Sequence, residues 1–194
     1  MTEFTTRQQE IIEVAIHLIH QGGIQSVTMK NLANRLGISE PAIYRHFPSK
    51  MDILLSMLLQ FKQRSEKHLR HALATGACGL EQLEIIFSEH SGQFAEKPHM
   101  TAVVFSEEAF QDDSQLAETI FSVMTLAHDT VIEILDHAQQ NNEIRRDIPK
   151  EHLVLMILGA LRFMVKRWRL SGYSFDLKQE RLRVWESVSK LLVK

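Results

Sequence analysis

The sequence predicts an all-α fold in two parts: an N-terminal three-helix bundle containing a helix-turn-helix, then a larger antiparallel helical domain. Three observations carry this. Apolar residues recur at i, i+3 and i+4 in almost every segment, the spacing that gathers them on one stripe of a helix. Alternating β-branched runs joined by Asn-Gly or Asp-Gly turns are absent. Caps and breakers cut the first fifty residues into short helices, whereas the helices after Gly79 are longer.

Each element has its own signal. Thr5 or Thr6 can cap a first helix whose inward stripe is Ile11, Val14, Ala15, Leu18 and Ile19, and Gly22-Gly23 ends it. Thr28 caps a second, which runs to Leu36 and stops at Gly37. Ser39 caps a third, with Glu40 favourable to the helix dipole and Pro41 tolerated in the first turn, where its missing N–H has no intrahelical acceptor. Phe47-Pro48 breaks that helix, and Ser49 caps a fourth with no breaker before Gly76. Beyond it, helices are expected over about 80–96, ended by Pro98, and over 101–110, 114–141, 149–170 and 176–193.

Composition bounds the chemistry. At 194 residues the chain can bury a substantial core, and its single cysteine, Cys78, excludes an internal disulfide framework. No run approaches the roughly 20 apolar residues of a membrane span and no leader is visible, so a cytoplasmic protein without a membrane partner is expected. Residues 1–75 carry nine Lys and Arg against six acids, and residues 76–194 carry thirteen against eighteen, so the net charge of -2 divides into +3 and -5. The two signs suggest two tasks on one chain.

The informative stretch is Leu32–Lys50, LANRLGISEPAIYRHFPSK. Gly37-Ile38-Ser39 joins two short helices into a helix-turn-helix, in which Ala33 must be small for the crossing and Gly37 supplies the positive φ of the turn. Leu32, Leu36, Ile38 and Ile43 face inward. Ser39, Glu40, Ala42, Tyr44, Arg45 and His46 are left outward, on an eight-residue helix of about 12 Å suited to a major groove about 12 Å wide.

From Thr28 to Leu54, TMKNLANRLGISEPAIYRHFPSKMDIL, the sequence resembles the TetR family of bacterial transcriptional regulators, with Tyr44-Arg45-His46-Phe47 and Ser49-Lys50 similar to the family's Tyr-x-His-Phe-x-x-Lys signature. A looser likeness is EIRRDIPKEHLVLMILGAL. Glu40-Pro41-Ala42 departs from the Gly-Thr or Ala-Ser often found there. The resemblance implies a helix-turn-helix DNA-binding domain over 5–65, with the motif at 28–47, and an effector-binding and dimerisation domain over 66–194. It implies double-stranded DNA, a second copy and a small lipophilic effector as partners, with no cofactor.

Chemistry supports these roles residue by residue. Thr28 can hold a phosphate at a helix N-terminus, with Lys30 in the same DNA-contacting set. Tyr44, His46 and Lys50 resemble the family's phosphate contacts on the other flank. Arg45 can reach a guanine O6/N7 pair, while Ser39, Glu40, Pro41 and Ala42 form an apical surface for a cytosine amine or a thymine methyl.

In the second half, rings and methionines cluster, among them Phe105, Phe110, Met156 and Trp168. Most such stripes are plain core. The alternative is a lipophilic effector pocket with polar anchors, expected among Phe87, His90, Phe94, Phe121, Met124, His128 and Phe163. The helix over 149–170 is apolar on more than one face, which suggests a partner or a central place within the chain; Leu153, Ile157, Leu161 and Met164, with Leu182, Trp185 and Val188 of the last helix, resemble the family's homodimer seam.

Enzymatic readings lack a site. His17/His20 and His68/His71 have helical i, i+3 spacing but no third ligand, and Glu96-Lys97-Pro98-His99 is broken by its proline. There is no Gly-x-Ser-x-Gly elbow, Walker loop or dinucleotide turn. Neither catalytic residues nor a metal are therefore expected. A helical adaptor using the N-terminal bundle for protein contact is the second reading, and a bundle metalloenzyme the last.

Overall fold

The computed structural model describes residues 4–106 and 113–193, and these hold nine α-helices, one 3₁₀ turn and no strand. The order is α1 (Thr6–Gly22), the 3₁₀ turn Ile24–Ser26, α2 (Met29–Leu36), α3 (Glu40–Tyr44), α4 (Lys50–Ala74), α5 (Gly79–Glu96), α6 (Met100–Val104), α7 (Ser114–Gln140), α8 (Lys150–Leu170) and α9 (Leu177–Leu192). The helix expected over 101–110 is the five-residue α6; its remainder from 107, with Phe110, lies outside the described residues.

The chain divides into two compact units, residues 1–62 with 99–120, and residues 63–98 with 121–194. Segment 99–120 thus joins the first unit from a distance in sequence.

In the first unit the caps are where the sequence puts them. The Thr5 hydroxyl accepts the Gln8 N–H and the Gln8 side chain accepts the Thr5 N–H, a reciprocal box that starts α1. Thr28 caps α2 by accepting the Asn31 N–H at 3.1 Å. Ser49 accepts the Asp52 N–H and donates to its carboxylate at 2.6 Å, which starts α4. Ile11, Ile12, Ala15, Leu32, Ile43, Ile53 and Leu54 are buried, and their aliphatic surface is what holds such short helices in place.

The second unit is centred on α5, which packs against α8 and α9. The Phe87 and Trp185 rings meet at 5.6 Å between centroids, tilted by 45°, and Leu83, Phe94, Val154, Ile157, Leu161 and Val165 complete the core. At the start of α5 a Cβ on Gly79 would lie 2.5 Å from the Ala138 Cβ. That contact needs glycine, and the Gly79 N–H donates to Glu143 at 2.6 Å.

Candidate nucleic-acid interface

The helix-turn-helix is built from α2 and α3. Gly37 takes φ 67° and ψ 30°, the left-handed conformation expected from its position, and the Ile38 N–H closes the end of α2 on the Ala33 carbonyl at 3.1 Å. Helix α3 is shorter than the eight residues expected. It covers Glu40–Tyr44, and Arg45 and His46 follow in a turn whose N–H groups bond to the carbonyls of Pro41 and Ile43. The last turn tightens instead, with the His46 N–H bonded three residues back to the Ile43 carbonyl at 2.9 Å, ahead of the Pro48 break.

Ile43 and Phe47 are buried and anchor this piece. Ser39, Glu40, Pro41, Tyr44 and Arg45 are exposed, and Ala42 and His46 are partly so. The Ser39 hydroxyl makes no capping bond, which leaves it outward. Tyr44 is 49% exposed, unusual for a large ring on a helix with a buried neighbour. Thr28 and Lys30 are exposed at the N-terminus of α2, where the N–H groups and dipole favour a phosphate.

Two residues refine this picture. Lys50, expected at a phosphate, donates from Nζ to the Ile24 carbonyl at 2.8 Å, and burial lowers its pKa. Its ammonium is thus a strut between α4 and the 3₁₀ turn. Gln8, which the sequence reading did not single out, donates from Nε2 to the His46 carbonyl at 3.3 Å, besides closing the box with Thr5. The start of α1 therefore holds the end of the reading segment.

The residues expected in the effector pocket do not form one buried cluster. Phe87 and Phe94 are core, with His90 beside Phe94 at 5.3 Å. Phe121, Met124 and Phe163 are exposed, and His128 pairs with Asp129 at 3.0 Å. Periodicity identifies apolar faces but not which of a helix's two faces turns inward.

The same limit applies to the expected dimer seam. Leu153, Ile157, Leu161, Met164 and Trp185 are buried within the chain itself, Val188 is partly buried and only Leu182 is exposed. The apolar side chains that α8 leaves outside are Leu155, Met156, Phe163 and Leu170. Met156, Gly159, Phe163 and Leu170 fall at i, i+3, i+7 and i+14, one stripe, and a Cβ at Gly159 would meet nothing within 4 Å.

A capped, glycine-turned helix pair with an outward polar segment defines a helix-turn-helix DNA-binding regulator. The family of bacterial regulatory proteins, tetR family, matches residues 11–57, and the YsiA-like protein C-terminal region matches 58–194. The chain belongs to the TetR family of bacterial transcriptional regulators.

Its relatives include the fatty acid metabolism regulator protein of Bacillus subtilis, 25% identical over all of this chain and 97% of that one. The fold matches the ketosteroid transcriptional regulator KstR2 of Mycobacterium tuberculosis with a TM-score of 0.84 at 18% identity, over 99% of this chain and 97% of that one. It also matches the regulator FadR from Bacillus subtilis in complex with stearoyl-CoA, with a TM-score of 0.74 at 23% identity, over 95% and 98%. No helix among the described residues is long and apolar enough to cross a membrane.

Proposed function

We propose that this regulator is a homodimeric repressor that binds an inverted-repeat operator through Ser39–His46 and releases it when a lipophilic effector of the fatty acyl class occupies the second unit. The observation that carries the DNA contact is the outward set on α3 and its two caps, Ser39, Glu40, Pro41, Tyr44 and Arg45, held by buried Ile43 and Phe47. Arg45 reads a guanine, Tyr44 and His46 meet phosphates, and Thr28 with Lys30 clamps the other flank. Lys50 acts here by bracing the turn.

The exposed stripe on α8 supports the dimer. Its apolar side chains gain nothing from water, and Leu182 of the neighbouring α9 is exposed as well. A two-fold dimer imposes its symmetry on the operator. The effector class rests on the stearoyl-CoA complex of the Bacillus subtilis regulator FadR together with the ring-rich core of the second unit. This regulatory role calls for no catalytic group.

Sequencing of sheared genomic fragments retained by the purified protein tests the reading. An enriched inverted repeat, bound with steep salt dependence and released by long-chain acyl-CoA, is the expected result. Retention without sequence preference and without salt dependence fits a protein-contact adaptor and refutes it.

A further inference from the structure

The seam between the second half of α4 and α5 holds buried polar groups that the fold leaves incomplete. Two cross-links span it: Gln93 donates from Nε2 to the Ser65 hydroxyl at 3.5 Å, a long contact, and His71 pairs with Glu89 at 2.9 Å. Between them three buried atoms have no hydrogen-bond partner among the described residues: Gln93 Oε1, Glu89 Oε2 and His68 Nδ1. Gln93 is only 5% exposed, so bulk water does not complete it. Burying such a group without a partner is costly, which makes three in one seam a pointer to a missing one.

Their chemistry selects that missing group. Glu89 and Gln93 stand at i and i+4, on one face of α5, and both orphaned oxygens are acceptors. A carboxylate or phosphate brings more acceptors and meets the Glu89 charge. A neutral group with an N–H or O–H brings what both oxygens lack, and its own carbonyl can accept from the imidazole of His68 in the tautomer protonated at Nδ1. Arg162 and His68 both disfavour a proton on His90, the residue that follows Glu89 on α5. A Cβ at Gly92, the partly exposed residue before Gln93, would meet nothing within 4 Å.

We propose that Gln93, Glu89 and His68 form the polar anchor of the effector site and take a neutral amide or hydroxyl group of a lipophilic ligand. This rests on the effector-responsive reading above. An amide in the arm of an acyl thioester, or a simple fatty amide, has the required donor and acceptor side by side.

Two probes of equal chain length, dodecanamide and dodecanoate, bound to the full-length protein, separate the cases. Dodecanamide is expected to bind about tenfold tighter, the effect of one net hydrogen bond. Gln93→Met removes the acceptor at similar volume: the preference should fall to within about twofold, while the ligand-free melting temperature changes little, because the unsatisfied oxygen goes together with the long bond to Ser65. Gly92→Leu, which favours the helix and fills the open space, should lower affinity for both probes. Equal affinity of the two probes, no binding of dodecanamide, or a preference that survives Gln93→Met overturns the anchor. Operator release, read in parallel, keeps the two ideas apart. Release by acyl ligands that ignores both substitutions sinks the anchor and leaves the regulatory reading standing. Gln93-dependent amide binding without release supports the anchor and sinks the switch.

Discussion

Phe163 gives the most direct test of the dimer. Its ring is 69% exposed on α8, in line with Met156, Gly159 and Leu170. Fully burying a phenylalanine side chain contributes roughly 1.5–3 kcal/mol, so covering the exposed share leaves about 1–2 kcal/mol per ring. A two-fold interface contains the ring twice, which makes about 2–4 kcal/mol and, at 1.4 kcal/mol per decade, about a 30- to 700-fold change in the dimer dissociation constant. Phe163→Ala should therefore dissociate in sedimentation equilibrium at concentrations where the parent chain is dimeric, with its helical circular dichroism intact. Leu161→Ala is the contrast, since Leu161 is buried inside the chain: it should cost about 2–5 kcal/mol of folding stability through a cavity. A monomeric parent at micromolar concentration, or a Phe163→Ala dimer as tight as the parent, refutes the placement of the seam on this stripe.

Other outcomes follow from the site. Arg45→Ala should relax preference at one base pair per half-site, by about 1–3 kcal/mol in a binding-site selection, and an unchanged profile with binding retained would remove its base-reading role. Lys50→Met should weaken all DNA sequences alike and also lower the melting temperature, by about 1 kcal/mol of stability for the lost bond to Ile24; an unaltered melting curve would show that the strut is idle. His90 is held at about 4, below the 6.5 of an ordinary histidine, first by burial and then by Arg162 and His68. The unfolded chain then binds more protons between those values, so stability is complete above pH 6.5 and falls toward pH 4 by at most about 3 kcal/mol. His90→Gln should flatten this slope in urea titrations, and equal slopes in both proteins would rule the histidine out.

The chain's helices were legible because their ends carry chemistry of their own. Thr5, Thr28 and Ser49 cap by hydrogen bonds that any helix start needs, and Gly37 reaches a backbone conformation other residues avoid. The reading segment was legible for the same reason, being local. What stayed hidden is non-local. Segment 99–120 belongs with the N-terminal unit, and nothing in its spacing says so. Helix α8 is apolar on several sides, and periodicity assigned Leu153, Ile157 and Leu161 to a partner when α5 and α9 cover the inner side of this helix. The second bond of Gln8, to the His46 carbonyl, joins residues 38 positions apart and has no sequence signal.

The separation of duties within Ser39–Phe47 bears on how such a protein diverges. Ile43 and Phe47 fix the segment from below, while the side chains of Glu40, Pro41 and Arg45 project into solvent. Substitutions at exposed positions of this kind typically shift stability by no more than about 0.5 kcal/mol. On the proposed DNA contact, a lineage can therefore exchange its operator by point changes at these three outward sites, passing through intermediates that all fold. Recognition can drift quickly here while the scaffold beneath it stays almost still.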